Sequence, residues 1–280
     1  MRWRDQRKST NIEDRRGVGG KGLAIGGGGL GILILAVGVL LCGGDPGSLL
    51  RQTPTEQIQP SQNQTRNTGG TEDELKQFAS AVLASTEDVW NDIFRKNNLR
   101  YREPKLVLFN GQVRSACGFA SSAMGPFYCP GDSKLYLDFA FFRELKTQFR
   151  APGDFAAAYV IAHEVGHHLQ NQLGTMDKVT RAQARSGERQ KNQLSVRLEL
   201  QADCFAGIWA AAAQKKGLLE AGDAEEAIRA AAAVGDDMIQ QRSRGYVVPE
   251  SFTHGSARQR VTWYRKGFDS GDVRQCRTFE

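Results

Sequence analysis

The spacing of apolar and polar positions changes character along the chain. From Gly22 to Gly44 the sequence GLAIGGGGLGILILAVGVLLCGG carries no charge. About 20 helical residues at 1.5 Å each cover the roughly 30 Å hydrocarbon layer of a bilayer, so this run predicts one transmembrane helix over 22–44. Residues 45–70 are rich in Gln, Thr, Asn and Pro and poor in large apolar side chains, a composition that reads as a polar tether. From Thr71 onward a helical period takes over. Leu75, Phe78, Ala79, Val82, Val89, Trp90 and Phe94 share one face, behind a capping-box spacing of Thr71 and Glu74. The stretch 105–109 is strand-like, and 133–139 is another, with Leu135 and Leu137 alternating against Tyr136 and Asp138. Residues 139–149 read as a helix, and a longer one starts near Asp154 and stops at Gly174. The polar stretch 175–192 predicts a short helix or a loop, and helices follow over 192–217 and 223–241. The aromatic and basic tail 245–280 has no assigned element. The pattern predicts an α+β domain over 71–280, mainly helical with a small β-sheet and preceded by one transmembrane helix.

Charge adds an orientation. Residues 1–21 hold seven Lys or Arg against three Asp or Glu, which is +4 of the chain's +6. Basic residues beside an apolar span favour the cytoplasmic side. The expected arrangement is a single-pass protein with a cytoplasmic tail, a lipid bilayer as partner and the bulk of the chain periplasmic or extracellular. Arginines in the remainder are scattered, which argues against nucleic acid as a partner. With Cys42 in the apolar run, Cys117, Cys129, Cys204 and Cys276 remain, and an exported domain would oxidise them. Four cysteines allow three pairings. Cys117–Cys129 is the local pair, leaving Cys204–Cys276.

The chemistry concentrates in HEVGH at 163–167. Residues four apart share a helix face, so His163 and His167 can direct their rings at one Zn²⁺. Glu164 then sits where a carboxylate reaches a water on the metal without becoming a ligand. A catalytic zinc needs a third protein ligand, and Glu199 of ELQAD, 199–203, is the candidate. Asp203 lies one turn on. It either orients a zinc histidine through the non-ligating ring nitrogen or replaces Glu199 as ligand. His168 points about 100° away from His167 on an ideal helix, outside the ligand face. His254, Tyr246 and Arg260 are candidates to stabilise a developing oxyanion, with His254 the first choice. The strand at 133–138 is a candidate edge for pairing with an extended peptide.

HExxH paired with ExxAD resembles the gluzincin arrangement. More of the chain is similar to the bacterial neutral zinc metallopeptidase family: GGDP at 43–46, CG at 117–118, GPFYCPGDSKLYLD at 125–138, AHEVGHHLQ at 162–170, ELQADCFAG at 199–207 and THGSARQR at 253–260. That resemblance implies a single-pass protein with a compact gluzincin domain, with His163, His167 and Glu199 on the ligand positions and Glu164 on that of the base. The expected activity is hydrolysis of peptide bonds in a peptide or protein substrate. Two alternatives stand beside it: a tethered interaction module that cleaves nothing, and a zinc amidase acting on cell-wall peptide.

Overall fold

A computed structural model of the chain describes residues 1–16 and 69–280. Its strands are β1 (Ile12–Asp14), β2 (Lys105–Phe109), β3 (Gln112–Ser115), β4 (Gly118–Ser121), β5 (Phe127–Cys129) and β6 (Lys134–Asp138). The helices are α1 (Gly69–Lys96), α2 (Ala140–Thr147), α3 (Asp154–Gln172), α4 (Thr175–Gln183), α5 (Glu188–Lys215), α6 (Asp223–Ala233), α7 (Asp236–Arg244) and α8 (Ala257–Ser270). The main sheet has the order β1-β2-β6-β5. β2 is parallel to both β1 and β6, and β5 runs antiparallel to β6. Strands β3 and β4 form a separate antiparallel hairpin.

Alternation along β2 and β6 decides what lies on each side of the sheet. Leu106, Leu108, Leu135 and Leu137 join the main core with the helices. Val107, Phe109 and Tyr136 turn the other way and pack with Val113, Ala120 and Cys129. Both faces are therefore covered, as a parallel pair requires. The expectation of 133–138 as an exposed edge is corrected, since β6 lies between β2 and β5, and the edges are β1 and β5.

Helix α3 is apolar on nearly every side, from Phe155 through Ala162 to Leu169, and such a helix belongs inside. Its neighbour α5 crosses it at short range. A Cβ on Gly166 would lie 2.9 Å from Cα of Ala202, so the glycine of HEVGH and the alanine of ELQAD are the residues that let the two motifs meet. Between α5 and α8 the approach is closer still. A methyl group on Gly207 would overlap the Tyr264 carbonyl, and one on Gly267 the Cys204 carbonyl. The pattern that predicts one helix over 223–241 is broken at Gly235, where a side chain would overlap the backbone of Ala257. The chain divides there into α6 and α7.

The basic N-terminal segment is part of this domain. Met1 and Trp3 are buried in the main core, Trp3 meets Phe78 edge-on at 5.6 Å, and β1 extends the sheet. Its arginines pair with α1: Arg4 with Glu74, and Arg7 with Glu87 and Asp88. The side chains of Ser9 and Asn11 also donate to Glu87, at 2.5 and 2.9 Å. These bonds satisfy a carboxylate that is only 1% exposed, and a buried charge must be so paired.

This placement corrects the membrane expectation. A single crossing between residues 17 and 68 would put β1 and β2 on opposite sides of the bilayer, yet they are hydrogen-bonded neighbours. The single-pass topology, with its cytoplasmic tail, bilayer anchor and domain on the far side of the membrane, therefore does not hold. Among the described residues no helix is long and apolar enough to cross a membrane. The apolar run at 22–44 and residues 45–68 of the expected tether lie outside the described residues.

Candidate metal centre

His163, Glu164 and His167 come from the middle of α3, and Glu199 and Asp203 from the facing stretch of α5. The Gly166–Ala202 crossing brings them together. One ligand atom from each of His163, His167 and Glu199 falls within 4.8 Å of the others. Nε2 of His163 is 3.1 Å from Oε2 of Glu199, and Nε2 of His167 is 3.4 Å from Oε1. A tetrahedral zinc with bonds of about 2.0–2.2 Å has ligand–ligand edges of roughly 3.4 Å. The donor set and its spacing fit that ion. A second carboxylate group, Asp154, Asp223 and Glu226, also converges, but the Met1 ammonium lies 2.6 Å from Asp154 and 3.3 Å from Asp223.

Asp203 is fully buried and sits behind His163. Its Oδ1 accepts from Nδ1 of His163 at 2.8 Å and from the Tyr159 hydroxyl at 2.5 Å. Arg260, from α8, grips the same carboxylate with Nε at 2.8 Å and Nη2 at 3.0 Å. A carboxylate only accepts, so the His163 proton belongs on Nδ1 and its Nε2 faces Glu199. The guanidinium also lies 3.3 and 3.4 Å from the two His163 ring nitrogens. That approach is packing rather than donation to Nδ1, whose proton points at Asp203.

The electrostatics follow from burial opposed by pairing. Burial alone would lower the His163 pKa, but Asp203 and Glu199 outweigh it and push it up to about 9. His167 is raised in the same sense, Glu199 overcoming the burial cost. Burial would raise the pKa of Glu199, yet the two histidines hold it well below the ordinary carboxylate range. Asp203 is likewise held down against burial, by Arg260 and His163.

A pH dependence follows for the metal-free chain. The folded pKa of His163, about 9, exceeds the ordinary histidine value of 6.5. Its contribution is therefore fully present below pH 6.5 and is lost as pH rises through 9, on the order of 3 kcal/mol across that window. Denaturant unfolding in the presence of a chelator is expected to show lower stability at pH 9.5 than at pH 6. Equal stability at the two pH values would contradict this electrostatic arrangement. Zinc on Nε2 must displace the second ring proton, the one facing Glu199, so its apparent affinity should rise over that range.

The centre opens into a cleft of about 840 Å³ lined by His163, Glu164, His167, Glu199, His254 and Arg260. Phe127 and Tyr128 of the edge strand β5 line another part of it. The side chain of Glu164 has no hydrogen-bond partner among the described residues. His254 stands at the cleft with its side chain 52% exposed, and its Nδ1 is 3.1 Å from Asp236. The other Asp236 oxygen accepts the backbone N–H groups of Thr253, His254 and Gly255. The hydrogen bond to Asp236 raises the His254 pKa. Arg260 lines the cleft but has its donors turned to Asp203, and Tyr246 is exposed elsewhere. His168 faces away from the centre, with Nε2 2.6 Å from the Arg102 carbonyl and Nδ1 3.2 Å from the Tyr128 hydroxyl.

The cysteines bind the walls together. Cys117 is joined to Cys129 at the end of β5, and Cys204, next to Asp203, to Cys276 in the C-terminal segment. Sequence reasoning missed Asp236, Tyr159 and Gln170. Gln170 was within reach of it, being three residues after His167 on the same helix and 2.9 Å from its Nδ1. Asp236 stands 18 residues before His254 with no local signal to link them.

Comparison with known proteins bears on this geometry. The "Uncharacterized protein YpfJ" of Escherichia coli K12 is 48% identical over 285 residues, covering 100% of this chain and 99% of that protein. The "Uncharacterized protein Rv2575" of Mycobacterium tuberculosis is 42% identical over 255 residues, 86% of this chain and 84% of the relative. No solved structure matches. The family described as "Putative neutral zinc metallopeptidase" matches residues 1–279, ends that enclose both N-terminal β1 and the His163–His167–Glu199 centre, and the chain belongs to that family.

Proposed function

We propose that the protein is a zinc-dependent peptidase, with His163, His167 and Glu199 as the metal ligands and Glu164 as the base. The observation that carries this reading is the convergence of two histidine Nε2 atoms on the two oxygens of Glu199, in a cleft that Glu164 also lines. Zinc held there would activate a water and polarise the scissile carbonyl. Glu164 has no competing partner, so its carboxylate is free to take the proton of the attacking water and return it to the departing amine. His254, held by Asp236 and bearing a raised pKa, lines the same cleft and would donate to the developing oxyanion. The edge strand β5 has one side not paired in the sheet, and an extended substrate would hydrogen-bond along it. That role passes to β5 from β6.

Metal analysis of the full chain purified without added metal tests the ligand set. The expected result is one zinc per wild-type chain, hydrolysis of an unfolded protein that stops on chelation, and loss of the metal in E199A. A wild type that takes up no zinc on reconstitution would overturn the proposal.

A further inference from the structure

His163 has a carboxylate behind it, whereas His167 has an amide. We infer that Gln170 and Gln201 form a directional relay that fixes His167 in the only tautomer able to bind the metal and anchors it to the C-terminal segment. The inference rests on His167 being a ligand, as proposed above.

The direction of the relay can be read from its ends. Gln170 is fully buried, with one side-chain atom 2.7 Å from the Leu198 carbonyl and 3.2 Å from Oε1 of Gln201. A backbone carbonyl only accepts, so the Gln170 atom facing it must be the NH₂ group. Its two hydrogens then go to Leu198 and Gln201, and Oε1 is left facing Nδ1 of His167 at 2.9 Å. Gln201 is oriented by the same rule, because its Nε2 lies 2.9 Å from the Cys276 carbonyl. Two main-chain carbonyls thus set the polarity of the whole string. Its output is an acceptor at Nδ1, which keeps the ring proton there and presents the Nε2 lone pair to the metal position.

With the Gln170 amide reversed, the consequence would be the opposite. Its NH₂ would donate to Nδ1, the ring proton would move to Nε2, and His167 could not coordinate. Its oxygen would meanwhile face the acceptors of Leu198 and Gln201. Both residues are positioning residues, acting on the metal through His167. The far anchor, Cys276, is held by its disulfide to Cys204, the neighbour of Asp203. The orienting groups of both histidines are therefore tied to one stretch of α5.

The test is zinc affinity of the full chain, measured by competition with a chromophoric chelator, for wild type, Q170L, Q201L and the double variant. Loss of a group that orients a ligand costs about 10–100-fold in metal affinity, and that loss is expected for Q170L. Q201L should weaken binding by a smaller factor and add nothing in the Q170L background, since it acts only through Gln170. A purely structural role would lower the melting temperature of the metal-free chain and leave the zinc Kd unchanged. Gln201 is half-buried, so Q201L provides the test even where Q170L does not fold. Unchanged affinity in Q201L, or fully additive losses, would overturn the relay while leaving the metal centre standing. A wild type without zinc would remove both.

Discussion

Glu164→Gln is expected to retain one zinc per chain and to lose about 10²- to 10⁴-fold in turnover, the usual worth of a positioned general base. The substitution keeps the size of the side chain and removes its capacity to hold a proton. Metal should stay because Glu164 lies outside the triangle of His163, His167 and Glu199. Parallel measurements of zinc content and peptide hydrolysis separate the two functions. Loss of zinc in E164Q would make Glu164 a ligand, and unchanged turnover would remove it from the chemistry.

Arg260→Ala is expected to destabilise the domain by about 3–5 kcal/mol, as breaking a buried ion pair from one side does. Arg260 is 4% exposed and Asp203 is fully buried, so the orphaned carboxylate cannot turn to water. Its remaining donors would be Tyr159 and His163. Denaturant titration of the metal-free chain measures the effect. Arg260→Lys, which keeps the charge but not the two-pronged grip on both oxygens, should fall between wild type and alanine. Stability unchanged in R260A would show that Asp203 does not depend on the pair.

The legible parts of the molecule are those whose partners are close in sequence or repeat with a helical period. α1 and α5 follow from apolar periodicity and α3 from a long apolar run bounded by Asp154 and Gly174, while HEVGH puts His163 and His167 on one helix face and ELQAD puts Glu199 and Asp203 on another. Strand β2 could be read as a short apolar run and β6 from the alternation of Leu135 and Leu137 with Tyr136 and Asp138. Strand β5, three residues long, carries too few positions for any period, so the sequence offers only 133–138 as a candidate edge. Asp236 and Arg260 reach His254 and Asp203 only through tertiary packing. The N-terminal arm misleads for a physical reason: arginines beside an apolar run satisfy a membrane rule, whereas here Arg4 and Arg7 answer the acidic residues of α1.

That arm also bears on the order in which the molecule can assemble. Ser9 and Glu87 are 78 residues apart, and β1 pairs with a strand that begins at Lys105. Residues 1–16 therefore wait for α1 and β2, which lie later in the chain, before they have these partners to bind, and such long-range pairings are slow to form. During that interval Trp3 is an unprotected apolar group on the nascent chain and Glu87 is a carboxylate without its partners. The N-terminal arm is thus a late closing piece of the fold, and a chaperone that shields it would act before His163, His167 and Glu199 are synthesised.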